Sequence, residues 1–208
     1  MKITVFSTGM IHSNCYIAET ETSAVVVDCG GLPQPLCDYV DEIKPRIKAV
    51  LLTHGHCDHI SGAPKLAKEL GVPLVIHRDD SAALFDEKHG LFSHLGRFYP
   101  FTKYDGEPIL VSGGETLRFG DITAEVIHTP GHSEGSVCYK IGDKLFSGDT
   151  LFNLSVGRTD FEGSDPEKMS ESLKTLMKLP DNTEVFPGHG EKTTIGYERQ
   201  NNPYISFA

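Results

Sequence analysis

Six consecutive positions, His54-Gly55-His56-Cys57-Asp58-His59, hold four His and Asp side chains able to bind a metal ion. The apolar run Ala49-Val50-Leu51-Leu52-Thr53 ahead of them reads as a β-strand, and a helix-forming stretch begins near Ile60. Within a strand, alternate residues would face opposite sides of the sheet. In a loop at the strand's C-terminal end, side chains one, two and four residues apart can converge on one volume. Imidazole nitrogens and a carboxylate suit Zn²⁺ and its first-row neighbours, and loops on a rigid scaffold are where catalytic groups tend to sit. The competing reading is three surface histidines beside a helix N-terminus, with Asp58 complementing the dipole.

The rest of the chain favours the metal. His132 lies in Thr129-Pro130-Gly131-His132-Ser133, after the alternating run Ile122 to Ile127. Asp149 lies in Phe146-Ser147-Gly148-Asp149-Thr150, and His189 in Phe186-Pro187-Gly188-His189-Gly190. Each follows an extended segment and neighbours Gly or Pro, which marks a turn at a strand end. Four such turns offer five histidines and two aspartates, enough for two metals sharing one aspartate. A structural zinc site closes four ligands and is usually rich in Cys. Seven N/O ligands without a Cys pair point to two metals with open positions, hence to catalysis.

These seven residues resemble the H-x-H-x-D-H signature and the downstream His, Asp and His of the metallo-β-lactamase superfamily. Within it the chain is similar to the short glyoxalase II-type hydrolases. The resemblance runs through Asn14-Cys15-Tyr16, Val27-Asp28-Cys29-Gly30-Gly31, Ser147-Gly148-Asp149-Thr150-Leu151-Phe152, Gly157-Arg158-Thr159-Asp160 and Pro187-Gly188-His189-Gly190. It continues into Thr193-Thr194-Ile195, Glu198-Arg199 and Asn202-Pro203-Tyr204. The chain stops at Ala208, without the helical C-terminal domain that helps full-length glyoxalase II bind glutathione.

The resemblance implies that His54, His56 and His132 hold one divalent ion and that Asp58, His59 and His189 hold another, with Asp149 bridging. Zn is the foremost candidate, with Fe or Mn as alternatives. A bridging hydroxide would attack the carbonyl of a thioester of the S-(2-hydroxyacyl)glutathione type, giving hydroxy acid and glutathione, and Asp58 would orient it as a catalytic residue. Arg158 stands roughly where glyoxalase II places a basic residue toward the thiol's carboxylate. It could equally be a structural Arg paired with a neighbouring Asp. The same scaffold carries a mononuclear iron persulfide dioxygenase, using only His54, His132 and Asp149, and lactonases, other ester hydrolases and β-lactamases. A non-enzymatic metal-binding module would need a partner domain or flavin motif, and none is visible.

Composition fits one enzyme domain spanning residues 1–208. With 38% hydrophobic and 23% charged residues, the 208-residue chain can bury a core without a disulfide scaffold. There is no run of 18 apolar residues, so no membrane span is expected, and no signal-peptide pattern at the start. Five cysteines without C-x-x-C spacing fit reduced thiols and a cytoplasmic location. A net charge of −10 gives nucleic acid no broad attraction. A small-molecule thioester is the expected partner, and the oligomeric state is left open.

The hydrophobic pattern predicts strands at 3–8, 14–19, 23–28, 48–52, 73–77, 115–119, 122–128, 136–141, 144–148 and 183–186. Helices are expected at 34–44, 61–70, 166–178 and 194–200. This alternation is α/β, and the resemblance makes it a four-layer αββα sandwich. Residues 88–107 read as a long aromatic-rich loop that either covers a sheet or walls a substrate pocket. His12, His77, His89, His94 and His128 lack complementary spacing and read as structural or surface histidines.

Overall fold

Strands and helices alternate in the computed structural model, which describes residues 1–205. The strands are β1 (Lys2–Thr8), β2 (Ser13–Glu19), β3 (Ala24–Val27), β4 (Ile47–Leu51), β5 (Leu74–His77), β6 (Ile109–Val111), β7 (Thr116–Phe119), β8 (Ile122–His128), β9 (Val137–Ile141) and β10 (Lys144–Gly148). They are followed by β11 (Leu151–Phe152), β12 (Ser155–Val156), β13 (Glu184–Pro187) and β14 (Thr193–Thr194). The helices are α1 (Gln34–Ile43), α2 (Cys57–Ile60), α3 (Ala63–Leu70), α4 (Phe92–Leu95), α5 (Pro166–Leu176) and α6 (Ile195–Asn201).

Two six-stranded sheets form, ordered β1-β2-β3-β4-β5-β6 and β14-β13-β10-β9-β8-β7, and β11 pairs with β12. The first sheet is antiparallel from β1 to β3 and parallel from β3 to β6. In the second, only β10 and β13 run parallel.

Alternation along the strands produces the layers. Tyr16, Ala18, Val25, Val27, Ala49 and Leu51 face the other sheet, where they meet Ala124, Val126, Tyr139, Phe146 and Phe186. Their odd-even neighbours Ile17, Val26, Val50 and Leu52 turn outward and pack against Leu36, Val40 and Ile43 of α1 and Leu66 and Ala67 of α3. On the far side, Cys138, Leu145 and Val185 meet Met169, Leu173 and Leu176 of α5 and Ile195 of α6. Three apolar layers therefore separate helix, sheet, sheet and helix, the αββα sandwich that the resemblance implies.

Local chemistry fixes the helices. Asp165 caps α5 by accepting from the backbone N–H groups of Glu167 and Lys168 at 2.9 and 3.1 Å, with Pro166 at the first helical position. Gly71 ends α3 in the left-handed region at φ 68°.

Several short elements depart from the sequence reading. Asp58 and His59 lie in the one-turn helix α2, with His56 as its N-cap, rather than in a loop ahead of a helix near Ile60. The strands β6, β11, β12 and β14 were not expected. The 88–107 segment carries α4, and Phe92, Tyr99 and Tyr104 enter the core beneath the first sheet. Its start also touches the His54–His59 turn: Gly90 accepts from the Cys57 N–H at 2.7 Å.

Candidate metal centre

The ends of β4, β8, β10 and β13 open onto one rim of the sandwich, and the seven expected ligands come together there. His54, His56 and His132 form one group whose ligand atoms lie within 4.8 Å of one another, and Asp58, His59 and His189 form a second. His56 Nδ1 stands 2.9 Å from His132 Nε2, and His59 Nε2 stands 3.3 Å from His189 Nε2. Asp58 Oδ2 is 3.2 Å from His59 Nε2 and 3.1 Å from His189 Nε2. Asp149 lies between the groups: Oδ1 is 3.4 Å from His59 Nε2, and Oδ2 is 3.4 Å from His132 Nε2.

Outer partners set which ring nitrogen faces inward. Asp28 Oδ2 accepts from His59 Nδ1 at 2.9 Å, leaving Nε2 toward the cluster. The same carboxylate accepts from the Thr53 N–H and hydroxyl at 2.8 and 2.7 Å. With its proton committed to Asp28, Thr53 Oγ1 accepts from His54 Nδ1 at 3.1 Å, so His54 also presents Nε2. His132 donates Nδ1–H to the Arg158 carbonyl at 2.8 Å. Three imidazoles are thus held with lone pairs aimed at common points, the outer-sphere pattern of metal-ligating histidines.

Burial makes the cluster demanding. His54, His56, Asp58, His59, His132 and Asp149 are all buried. His54 Nε2 and Asp149 Oδ1 have no hydrogen-bond partner among the described residues, a costly state unless something occupies the space they face. Burial, reinforced by the neighbouring histidines, holds His54 well below the usual imidazole range. Burial and His132 bring His56 down to about 3. Burial alone would raise Asp58, but His59 and His189 hold its carboxyl well below the usual range. Burial likewise opposes a charged His59, yet Asp58, Asp149 and Asp28 push it well above 6.5. His54, His56 and Asp58 are thus in the states a divalent cation requires, neutral imidazole and ionised carboxylate, whereas at His59 an ion would have to take the place of the Nε2 proton. The orphaned acceptors and the N/O donor set therefore fit two such ions.

Other quoted motifs find their reasons here. Tyr16 Oη and Asn14 Nδ2 donate to the Pro187 carbonyl at 2.8 and 3.0 Å, tying β2 to the turn that presents His189. Gly157 presses against the Asp149 carbonyl so closely that a Cβ would overlap it. Arg158 contributes its carbonyl to His132, while its guanidinium binds both oxygens of Asp160 at 2.6 Å and lies 4.2 Å over the Phe161 ring.

A cleft of about 630 Å³ adjoins His56, with Lys88, His89, His94, Glu134 and Phe161 along its walls. The 88–107 segment thus both covers the sheet and lines this cleft. Sequence reasoning gave no role to Asp28 or Asp80, and it treated His77 and His128 as unrelated. Their rings stack at 4.2 Å and 12°, near Asp79. Parallel imidazole planes cannot both aim lone pairs at one ion without rotating, so this separate group reads as packing between the sheets. For Asp28, the available signal was a carboxylate at the end of the wholly buried strand Ala24–Val27.

Known proteins share this sequence pattern and fold. Residues 8–189 match the profile of the metallo-beta-lactamase superfamily. Hydroxyacylglutathione hydrolase GloC of Haemophilus influenzae is 32% identical, covering 99% of both chains. Among solved structures, the BLEG-1 B3 metallo-beta-lactamase is 34% identical with a TM-score of 0.92, over 99% of this chain and 100% of that one. TTHA1623 in a di-iron-bound form is 34% identical with a TM-score of 0.85, over 97% and 99%. With this fold, this His/Asp cluster and these relatives, the chain belongs to the metallo-beta-lactamase superfamily of metal-dependent hydrolases.

Proposed function

We propose that the protein hydrolyses a thioester of the S-(2-hydroxyacyl)glutathione type at a dinuclear centre, with Zn, Fe or Mn as the ions. The carrying observation is the pair of facing triads, His54/His56/His132 and Asp58/His59/His189, with Asp149 between them. The likeness to GloC over nearly its whole length supports the substrate class, and the likeness to a di-iron-bound structure supports two ions.

Divalent ions held there would lower the pKa of a water toward neutrality and polarise an acyl carbonyl. The protein's own groups do the rest. Asp28, Thr53 and the Arg158 carbonyl keep the imidazoles in fixed tautomers, so the donor set is organised before substrate arrives. Asp58, ionised by His59 and His189, offers a carboxylate oxygen that can accept a hydrogen bond from the attacking water and so orient it. The cleft beside His56 has the volume of a small-molecule site. Lys88 on its wall and Arg158 nearby are the cations able to meet a substrate carboxylate.

No helix among the described residues is long and apolar enough to cross a membrane. The free thiols Cys15, Cys29, Cys37, Cys57 and Cys138 suit a reducing compartment, which we take to be the cytoplasm. A second reading, hydrolysis of a β-lactam, is favoured by the likeness to BLEG-1. Metal-loaded protein under nitrogen should release thiol from S-lactoylglutathione faster than it opens a β-lactam. The reverse order would select the second reading. Oxygen consumption with glutathione persulfide and no anaerobic thiol release would replace both with a dioxygenase.

A further inference from the structure

We infer that Asp80 is a positioning residue that sets the separation of the two loops carrying His54/His56 and His132, and so the metal affinity of that triad. The inference rests on the metal-binding reading above. Asp80 lies in the 3-10 turn Arg78–Leu84 that follows β5. Its carboxylate sits between a loop of the first sheet and a loop of the second.

Oδ2 accepts from the backbone N–H of Gly55, the residue between His54 and His56, at 2.7 Å, and from Ser133 Oγ, next to His132, also at 2.7 Å. Oδ1 accepts from the backbone N–H of Gly135 at 2.8 Å. A Cβ on Gly135 would stand 2.6 Å from the carboxyl carbon, so the second loop lies directly against this group. Deeper in the sandwich the Val137 N–H donates to the Thr53 carbonyl. At the loops themselves, the Asp80 carboxylate is the bridge across which His56 and His132 approach to 2.9 Å.

The chemistry requires an acceptor-only group. Three donors converge on two oxygens, a demand that an ionised carboxylate satisfies. An Asn there must turn its NH₂ toward either Gly135 N–H or Gly55 N–H, setting donor against donor. The loops would then separate by the slack of one or two hydrogen bonds, and the three imidazoles would no longer share a focus.

The test measures Zn²⁺ affinity by chelator competition in two backgrounds. In His189→Ala protein, the intact triad is His54/His56/His132; in His56→Ala protein, the intact one is Asp58/His59/His189. Asp80→Asn should weaken Zn²⁺ about 10–100-fold in the first background, the usual effect of losing a ligand's outer partner, and change it less than about threefold in the second. A general loss of folding would move both equally. Ser133→Ala, which removes a single donor, should weaken the first background less and add nothing once Asp80→Asn is present. Equal weakening in the two backgrounds overturns the role of Asp80. So does unchanged affinity in both while His132→Ala abolishes binding in the first. If His132→Ala itself leaves Zn²⁺ binding intact there, the triad is not a metal site, and the assignment of Asp80 falls with it.

Discussion

His132 donates its Nδ1 proton to the main-chain carbonyl of Arg158 across 2.8 Å, while the guanidinium of the same arginine is turned to Asp160. Arg158 thus serves the cluster through its backbone, and its Nε–Nη2 edge reaches a substrate carboxylate only by leaving Asp160. Both partners are largely exposed, at 61% and 65%, and such a solvent-screened pair holds only weakly. That is a small barrier to exchange. Asp160→Asn should lower KM for a glutathione thioester modestly, as expected for release from a weak exposed pair. Arg158→Ala should raise KM, and both should leave a small neutral thioester unaffected. Equal changes on the two substrates would make Arg158 a purely structural residue.

Asp28→Asn tests the other outer partner. One amide group cannot accept from the Thr53 N–H, the Thr53 hydroxyl and His59 Nδ1 together. The variant should lose about 10–100-fold in metal affinity at the triad containing His59. It should also lose about 1–3 kcal/mol of stability from the unsatisfied buried donor. Chelator competition and urea unfolding read the two effects. Unchanged metal affinity with lowered stability would restrict Asp28 to a structural role.

That these candidate ligands converge was legible because Gly and Pro end the strands that carry them: Pro130-Gly131 before His132, Gly148 before Asp149, Pro187-Gly188 before His189. The long strands were legible from alternation, as in Ile122–His128. The pieces that escaped are too short for a period to show. Strands β11, β12 and β14 have two residues each, β6 has three, and α2 has four. Asp28 and Asp80 escaped for another reason. A carboxylate's task depends on which N–H groups fold against it, and those of Gly55 and Gly135 are far apart in the sequence. His77 and His128 meet only because β5 and β8 end at the same rim of different sheets.

Two ions per chain should bind metal-reconstituted protein, since the triads are complete and Asp149 faces both. Elemental analysis should give about two ions per chain for the wild type and one for His189→Ala. Asp58→Ala and His59→Ala should cost at least about 10–100-fold in turnover. His77→Ala, at the stacked pair away from the seven ligands, should retain most of it. A single ion in the wild type, or equal losses in all three variants, would break the dinuclear assignment.

Acid should destabilise the metal-free protein through the buried imidazoles. Burial and His132 hold His56 at about 3 in the folded chain, against 6.5 for an ordinary imidazole. Between those values the unfolded chain binds a proton that the folded chain refuses, so stability is complete above about pH 6.5 and falls as the pH drops toward 3. His54, depressed by its burial, acts in the same direction. His59, raised by its carboxylates, opposes them: its stabilisation is fully present below 6.5 and fades only as the pH climbs through its higher folded value. The contribution of His56 is therefore isolated by substitution. In urea titrations of metal-free protein, His56→Gln should lose less stability than the wild type between pH 7 and pH 4.5. Parallel losses would mean that His56 is solvated in the metal-free state, with its ring turned out of the cluster rather than held against His132.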